Sequence, residues 1–171
     1  MKNRFLSSPK LAKFVFTKII VTSVLTSLFC LLFVKHLGLS AIIVVLFIAF
    51  DGVPMVIKYK NAFVRIVVND EGIENKWFSL KWEDISSYEI LEVYAYWGHI
   101  NPKYKIECSS VVCFGEISQD KKFTKQNPQN TIFVSLNQKQ LQIIEKYGKG
   151  KSEKIDEILN FYYYKKDSFD T

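Results

Sequence analysis

Lys18 and Asp51 are ionisable residues set inside otherwise apolar runs, and such groups mark ion or proton paths when they lie within a membrane. In a helical hairpin turning near His36, Lys18 comes level with about Pro54, and Asp51 sits about one turn deeper, so a direct pair is within reach. Two helices and two charges are too few to build a transport path. Lys18 therefore reads as snorkelling to the headgroups, with Asp51 paired to it or to interfacial water. Elsewhere the raw material for catalysis is thin. The only histidines are His36 and His99, each in a turn, so a His-based metal cage or a nucleophile–base dyad has little to draw on. Cys108 and Cys113 form a C-x4-C spacing without further ligands and read as small core residues, as does Cys30 in its apolar run. The carboxylate pairs Asp70-Glu71, Glu83-Asp84 and Asp156-Glu157 fall at a turn, a connector and an exposed helix side, while Glu89 and Glu92 flank buried strand positions with no opposing carboxylate. No phosphate-binding, dinucleotide-binding or nucleophile-elbow motif occurs. No catalytic set, metal site or cofactor is expected. One basic cluster remains, Lys121, Lys122 and Lys125 around Phe123, which could contact an anionic headgroup at about 1 kcal/mol per lysine or lie in a plain solvated loop.

The elements that would position these residues divide the chain sharply. It has 171 residues, 49% of them hydrophobic, which allows one modest domain plus an appendage and excludes a multidomain enzyme. Residues 14–34 and 37–57 are two apolar runs, each about long enough to span a bilayer as a helix, and the connection between them forces an antiparallel hairpin. Charge follows the same division. Residues 1–61 hold 8 Lys/Arg and one Asp, whereas residues 62–171 hold 15 Lys/Arg against 16 Asp/Glu. Lys2, Arg4, Lys10 and Lys13 before the first span, and Lys58, Lys60 and Arg65 after the second, outnumber Lys35 in the turn, which places both termini in the cytoplasm. A cleaved signal peptide would need a small-x-small site before the second run, and none follows. Ser8-Pro9 suits the start of the first helix.

From about residue 62 the pattern alternates with period two. Phe63–Val68, Ile73–Trp77, Tyr88–Trp97 and Thr131–Leu136 read as strands. Residues 104–114 form one bent strand or two short ones broken at Ser109-Ser110. Residues 98–102 form a turn and residues 118–130 an exposed loop. Gln138–Tyr147 and a segment opening at Ser152, with Ile155, Ile158, Leu159 and Tyr162 on one stripe, read as helices, fraying from Lys165. The fold class is α+β. The aromatic run Phe161-Tyr162-Tyr163-Tyr164 and the near-neutral charge of this part argue for core and interface packing rather than nucleic-acid binding.

The layout, with Asp70-Glu71-Gly72-Ile73 at a tight turn and Trp82-Glu83-Asp84-Ile85 ahead of the next long strand, resembles bacterial two-transmembrane-helix proteins with a C-terminal pleckstrin-homology-like domain. The resemblance implies a curved antiparallel sheet or split barrel with a helix over one end, and places Trp82 and Ile85 in the core. It implies little chemistry, since that fold hosts many binding roles. The expectation is a multi-pass protein of the bacterial cytoplasmic (inner) membrane that contacts the bilayer and recruits a protein or peptide at a sheet edge or at the strand loops. An anionic-lipid reader, or an accessory or immunity-type subunit of a membrane complex, is the alternative.

Overall fold

Asn3–Leu6 forms β1, ahead of the apolar helices. In the computed structural model, which describes residues 2–33, 37–96, 105–115, 123 and 130–167, the chain continues through α1 (Pro9–Phe33), α2 (Leu37–Phe47), a π-helical turn (Ile48–Gly52) and α3 (Val53–Lys58). Pro9–Leu32 and Gly38–Lys58 are long and apolar enough to cross a membrane. The first begins earlier than residue 14 because Pro9 is preset for a first helical turn that Ala12 N–H closes onto Ser8 O at 3.0 Å. The π turn has a local cause. Pro54 has no N–H to give the Phe50 carbonyl and its ring crowds that group, so the helix widens and Val53 N–H reaches Ile48 O.

After a 3-10 turn (Lys60–Phe63) come β2 (Arg65–Val68), β3 (Gly72–Glu74), β4 (Ser79–Lys81), β5 (Tyr88–Tyr96), β6 (Lys105–Gly115), β7 (Thr131–Ser135), α4 (Gln138–Gly148) and α5 (Glu153–Asp167). The strands form two antiparallel sheets, ordered β1-β2-β3-β4 and β5-β6-β7, and no closed barrel forms among the described residues. The expected α+β class with antiparallel strands holds, and the strands divide into a four-stranded and a three-stranded sheet. Strand β1, which precedes the helices, pairs with β2, which follows them, in the register Asn3 with Val68 and Leu6 with Arg65. The segment expected at 104–114 is a single strand over its described part, Lys105–Gly115, paired without a register break at Ser109 and Ser110, and the irregularity lies instead between Ala95 and Tyr96. The strand expected at 73–77 stops at Glu74 because the Asn75 side chain takes the N–H groups of Trp77 and Phe78, both at 2.8 Å, and turns the chain. The turn at 98–102 lies outside the described residues.

Two cores result. Ile66, Val68 and Ile73 of the first sheet pack with Val112, Phe114, Ile132 and Val134 of the second under α4 and α5. On the other face of the second sheet, Val93, Ala95, Val111, Cys113 and Phe133 bury against Leu11, Ala12 and Val15 of α1, Met55 of α3 and Tyr59. Strands β6 and β7 are therefore covered on both faces from Val111 to Phe114 and from Thr131 to Ser135, which is why these segments are apolar without alternation. Each fully buried aliphatic side chain here contributes roughly 1.5–3 kcal/mol, so the helix bases are firmly seated on the sheet.

Candidate functional site

The two short motifs build a turn before they build any site. Asn69 folds its carboxamide oxygen back onto Glu71 N–H and Gly72 N–H at 3.0 and 2.9 Å. Gly72 has to be glycine, since a Cβ there would stand 2.1 Å from the Leu80 carbonyl oxygen of the paired strand. Trp82 is buried and donates its indole N–H to Asn69 O at 2.9 Å, and Ile85 is buried beside it. Gly148 at the end of α4 lies so close that an added Cβ would sit 3.0 Å from the indole ring. Around this plug Asp70, Glu71, Lys81, Glu83 and Lys151 line an open groove. Lys151 Nζ bonds Asp70 O rather than facing a ligand position. The groove mixes both signs of charge without converging them, so it offers a solvated rim rather than an acid–base pair.

Within the helices, Lys18 Nζ stands 3.9 Å from Asp51 Oδ1. The widened turn at Ile48–Gly52 carries Asp51, so the same irregularity that accommodates Pro54 sets the carboxylate on the α1 side. Lys18 is buried, its side chain 9% exposed against 25% for Asp51. Hydroxyls nearby are satisfied within their own helix, Thr22 on Lys18 O at 2.7 Å and Thr26 on Thr22 O at 2.9 Å. One charge pair between two helices neutralises itself and forms no relay.

A further candidate surface is the outer edge of β5. This strand has nine residues and pairs with β6 on one side, with no strand on its other side among the described residues. At its start Tyr88 meets Glu157 of α5, and burial first, then that carboxylate, push its phenol above the ordinary value of 10.0. Glu157 is itself held by Lys154 Nζ at 2.5 Å. At the other end Tyr94 O accepts from the Tyr59 hydroxyl at 3.1 Å, at the root of α3.

No family model, curated protein or solved structure matches this chain.

Of the residues singled out by type and spacing, Lys121, Lys122, Lys125, His36 and His99 lie outside the described residues. Phe123, amid those lysines, is buried, edge to face with Phe133 at 5.4 Å between centroids, and its carbonyl accepts from the Asn61 side chain at 2.5 Å. At this position the expected exposed loop is an inserted anchor. Cys113 is a buried core residue, as is Cys30 between the helices. No group of three or more His, Cys, Asp or Glu with metal-binding proximity occurs among the described residues.

Sequence reasoning missed the knot that joins the two sheets. Ser7 donates its N–H to Val64 O at 2.7 Å and its hydroxyl to Phe133 O at 2.6 Å, and its carbonyl accepts from Ser135 N–H at 2.8 Å. Buried Gln140 donates to Leu6 O at 2.6 Å, while Asn137 caps α4 by accepting from Gln140 N–H at 3.0 Å. The Asn137-x-x-Gln140 spacing ahead of an apolar stripe signals the start of α4, while the long-range bonds to Leu6 and Ser7 leave no local trace.

Proposed function

We propose that the chain is a membrane-tethered binding module. Its helices cross the bacterial cytoplasmic membrane twice with both termini in the cytoplasm, and its α+β part captures an extended segment of another protein along β5. The pairing of β1 with β2 supports a common side for the two flanks of the hairpin. Among the described residues, two antiparallel sheets followed by C-terminal helices support the pleckstrin-homology-like reading. The observation that carries the function is the nine-residue outer edge of β5. Main-chain groups along such an edge give affinity, and alternate side chains give specificity. Glu89 lies on this strand with no basic residue between Tyr88 and Tyr96, while Glu92, on the opposite face, accepts from Ser110 Oγ at 2.6 Å, so the favoured occupant is an extended segment with a basic side chain opposite Glu89.

A photo-crosslinking residue at Glu92 of the full chain in intact cells tests this. A specific crosslinked partner, lost on Glu89→Lys combined with Leu91→Pro while membrane integration persists, is the expected result. Crosslinking that yields no specific partner, or one indifferent to those changes, overturns it. A second reading is favoured by Phe123, which is buried against the helix bases. In that reading Lys121, Lys122 and Lys125 bind anionic headgroups. Full-chain vesicles in which the three Lys→Glu changes leave a soluble anionic-headgroup probe bound as before would sink it. The accessory-subunit alternative predicts instead that an unrelated hairpin abolishes function.

A further inference from the structure

The turn between β3 and β4 ends in Lys76-Trp77, and Trp77 is 47% exposed although tryptophan is costly to leave in water. Lys76 Nζ lies 4.2 Å from its ring centroid. Topology fixes where this turn lies. Strand β2 starts at Arg65 directly after the helices and runs away from them, and β3 returns antiparallel, Val67 opposite Glu74, so the residues after Glu74 come back to the helix end of the sheet. Asn75 and Trp77 there share a small cleft with Asn61, Val64 and Ser7, which flank the helices in sequence. A bilayer core takes about 20 helical residues, so counting back from Phe33, where α1 ends, puts its near boundary close to Phe14–Phe16. Phe16 meets Phe63 edge to face at 5.3 Å between centroids, and Phe63 directly precedes Val64 of the cleft. Trp77 is therefore level with the region where the helices leave the hydrocarbon.

We infer that Lys76-Trp77 is a third membrane contact of the protein, a peripheral anchor that lies in the headgroup layer beside the hairpin. The inference rests on the reading that the two apolar helices span the bilayer. Tryptophan favours that layer because its ring is apolar and its N–H is not. The surrounding exposed cations, Lys13, Lys58, Arg65 and Lys76, match an anionic leaflet. The anchor fixes the tilt of the two sheets over the membrane and hence the height at which the β5 edge is presented.

The test uses the full chain and its Trp77→Phe variant in vesicles of phosphatidylcholine and phosphatidylglycerol, where the difference in fluorescence isolates Trp77 from Trp82 and Trp97. Resistance to carbonate extraction first establishes integration, and an extractable protein refutes the spanning reading itself. With the protein integrated, the difference signal should be quenched by lipids brominated near the headgroup, and Lys76→Glu should weaken that quenching. Quenching by aqueous iodide alone overturns the anchor. So does a signal that neither quencher reaches, which would place Trp77 against a second copy or another protein.

Discussion

At the scale of single residues, the Lys18–Asp51 pair decides how the helices meet. An ion pair with one partner nearly buried is held by mutual neutralisation, and removing one member strands the other in apolar surroundings, whereas replacing both with apolar groups leaves nothing unpaired. Separation at 3.9 Å and the partial exposure of Asp51 limit the effect. We expect Lys18→Met or Asp51→Asn to destabilise the reconstituted protein by about 1–2 kcal/mol each. The double variant should return most of that loss. Thermal unfolding in nanodiscs across the four proteins measures this directly, and additive losses in the double variant would show that the charges do not act as a pair. Sequence spacing alone placed the two residues within a turn of each other, because a hairpin with a short turn leaves little freedom in register. It could not show that a widened turn ahead of Pro54 would orient the carboxylate, since that depends on how the helix relieves a clash.

At the scale of elements, the strand before the helices is the main departure from what the sequence discloses. Four residues, Asn-Arg-Phe-Leu, are too few to show a period, and their lysine and arginine neighbours read as an orientation signal. Their partner lies across the whole hairpin, at Arg65–Val68, and long-range pairing leaves no trace in local pattern. The long strands, helix α4 and the α5 stripe were legible because period is a local property. Strand β6 was ambiguous at Ser109-Ser110 because two serines mimic a turn, yet Ser109 is buried in a strand covered on both faces. Deleting residues 2–6 exposes the edge of β2 and removes the Leu6 carbonyl that Gln140 needs, at a cost of roughly 3 kcal/mol. Denaturant unfolding of the otherwise full-length deletion variant should show that loss, and an unchanged midpoint would mean the strand is dispensable. The α4–α5 contact makes a separate prediction about pH. The Tyr163 hydroxyl donates to Glu145 at 2.5 Å, and that bond, then Lys149, holds the Glu145 carboxyl below its ordinary value of 4.5. Its stabilisation is present above that value and is lost as pH falls through the lower folded value. Tyr163 is raised above 10.0 by the same bond, so its share is present below 10.0 and is lost as pH rises through the higher folded value. Tyr163→Phe should flatten both limbs of a stability–pH profile, by a small amount because both groups are near the surface. Limbs that keep their slope in the variant would count against the contact.

At the scale of the whole molecule, the bases of the apolar helices and the second sheet share a core, so the division at about residue 62 is a boundary in solvent preference more than in packing. Helix α1 leaves Ser8 and is buried at Leu11, Ala12 and Val15 against the second sheet before its exposed apolar surface begins at Phe16. Cutting the molecule at the pattern change would uncover Val93, Ala95, Val111, Cys113 and Phe133 together, an apolar face of the kind that drives association in water. The topology offers a cleaner cut. Strands β1 and β2 are neighbours, so the chain can be closed across the helices at either of two levels. Joining Ser8 to Lys60 by a short Gly/Ser linker removes Leu11, Val15 and Met55. Keeping residues 9–16 and 54–63 and joining those two ends retains them. We expect the first, shorter variant to bind a hydrophobic dye and associate at micromolar concentration, and the second to remain monomeric with a cooperative unfolding transition. Size-exclusion chromatography with light scattering separates the outcomes. If the shorter variant is as monomeric and as cooperative as the longer one, the helix bases are not part of the fold, and the proposed presentation of the β5 edge over a bilayer loses its physical basis.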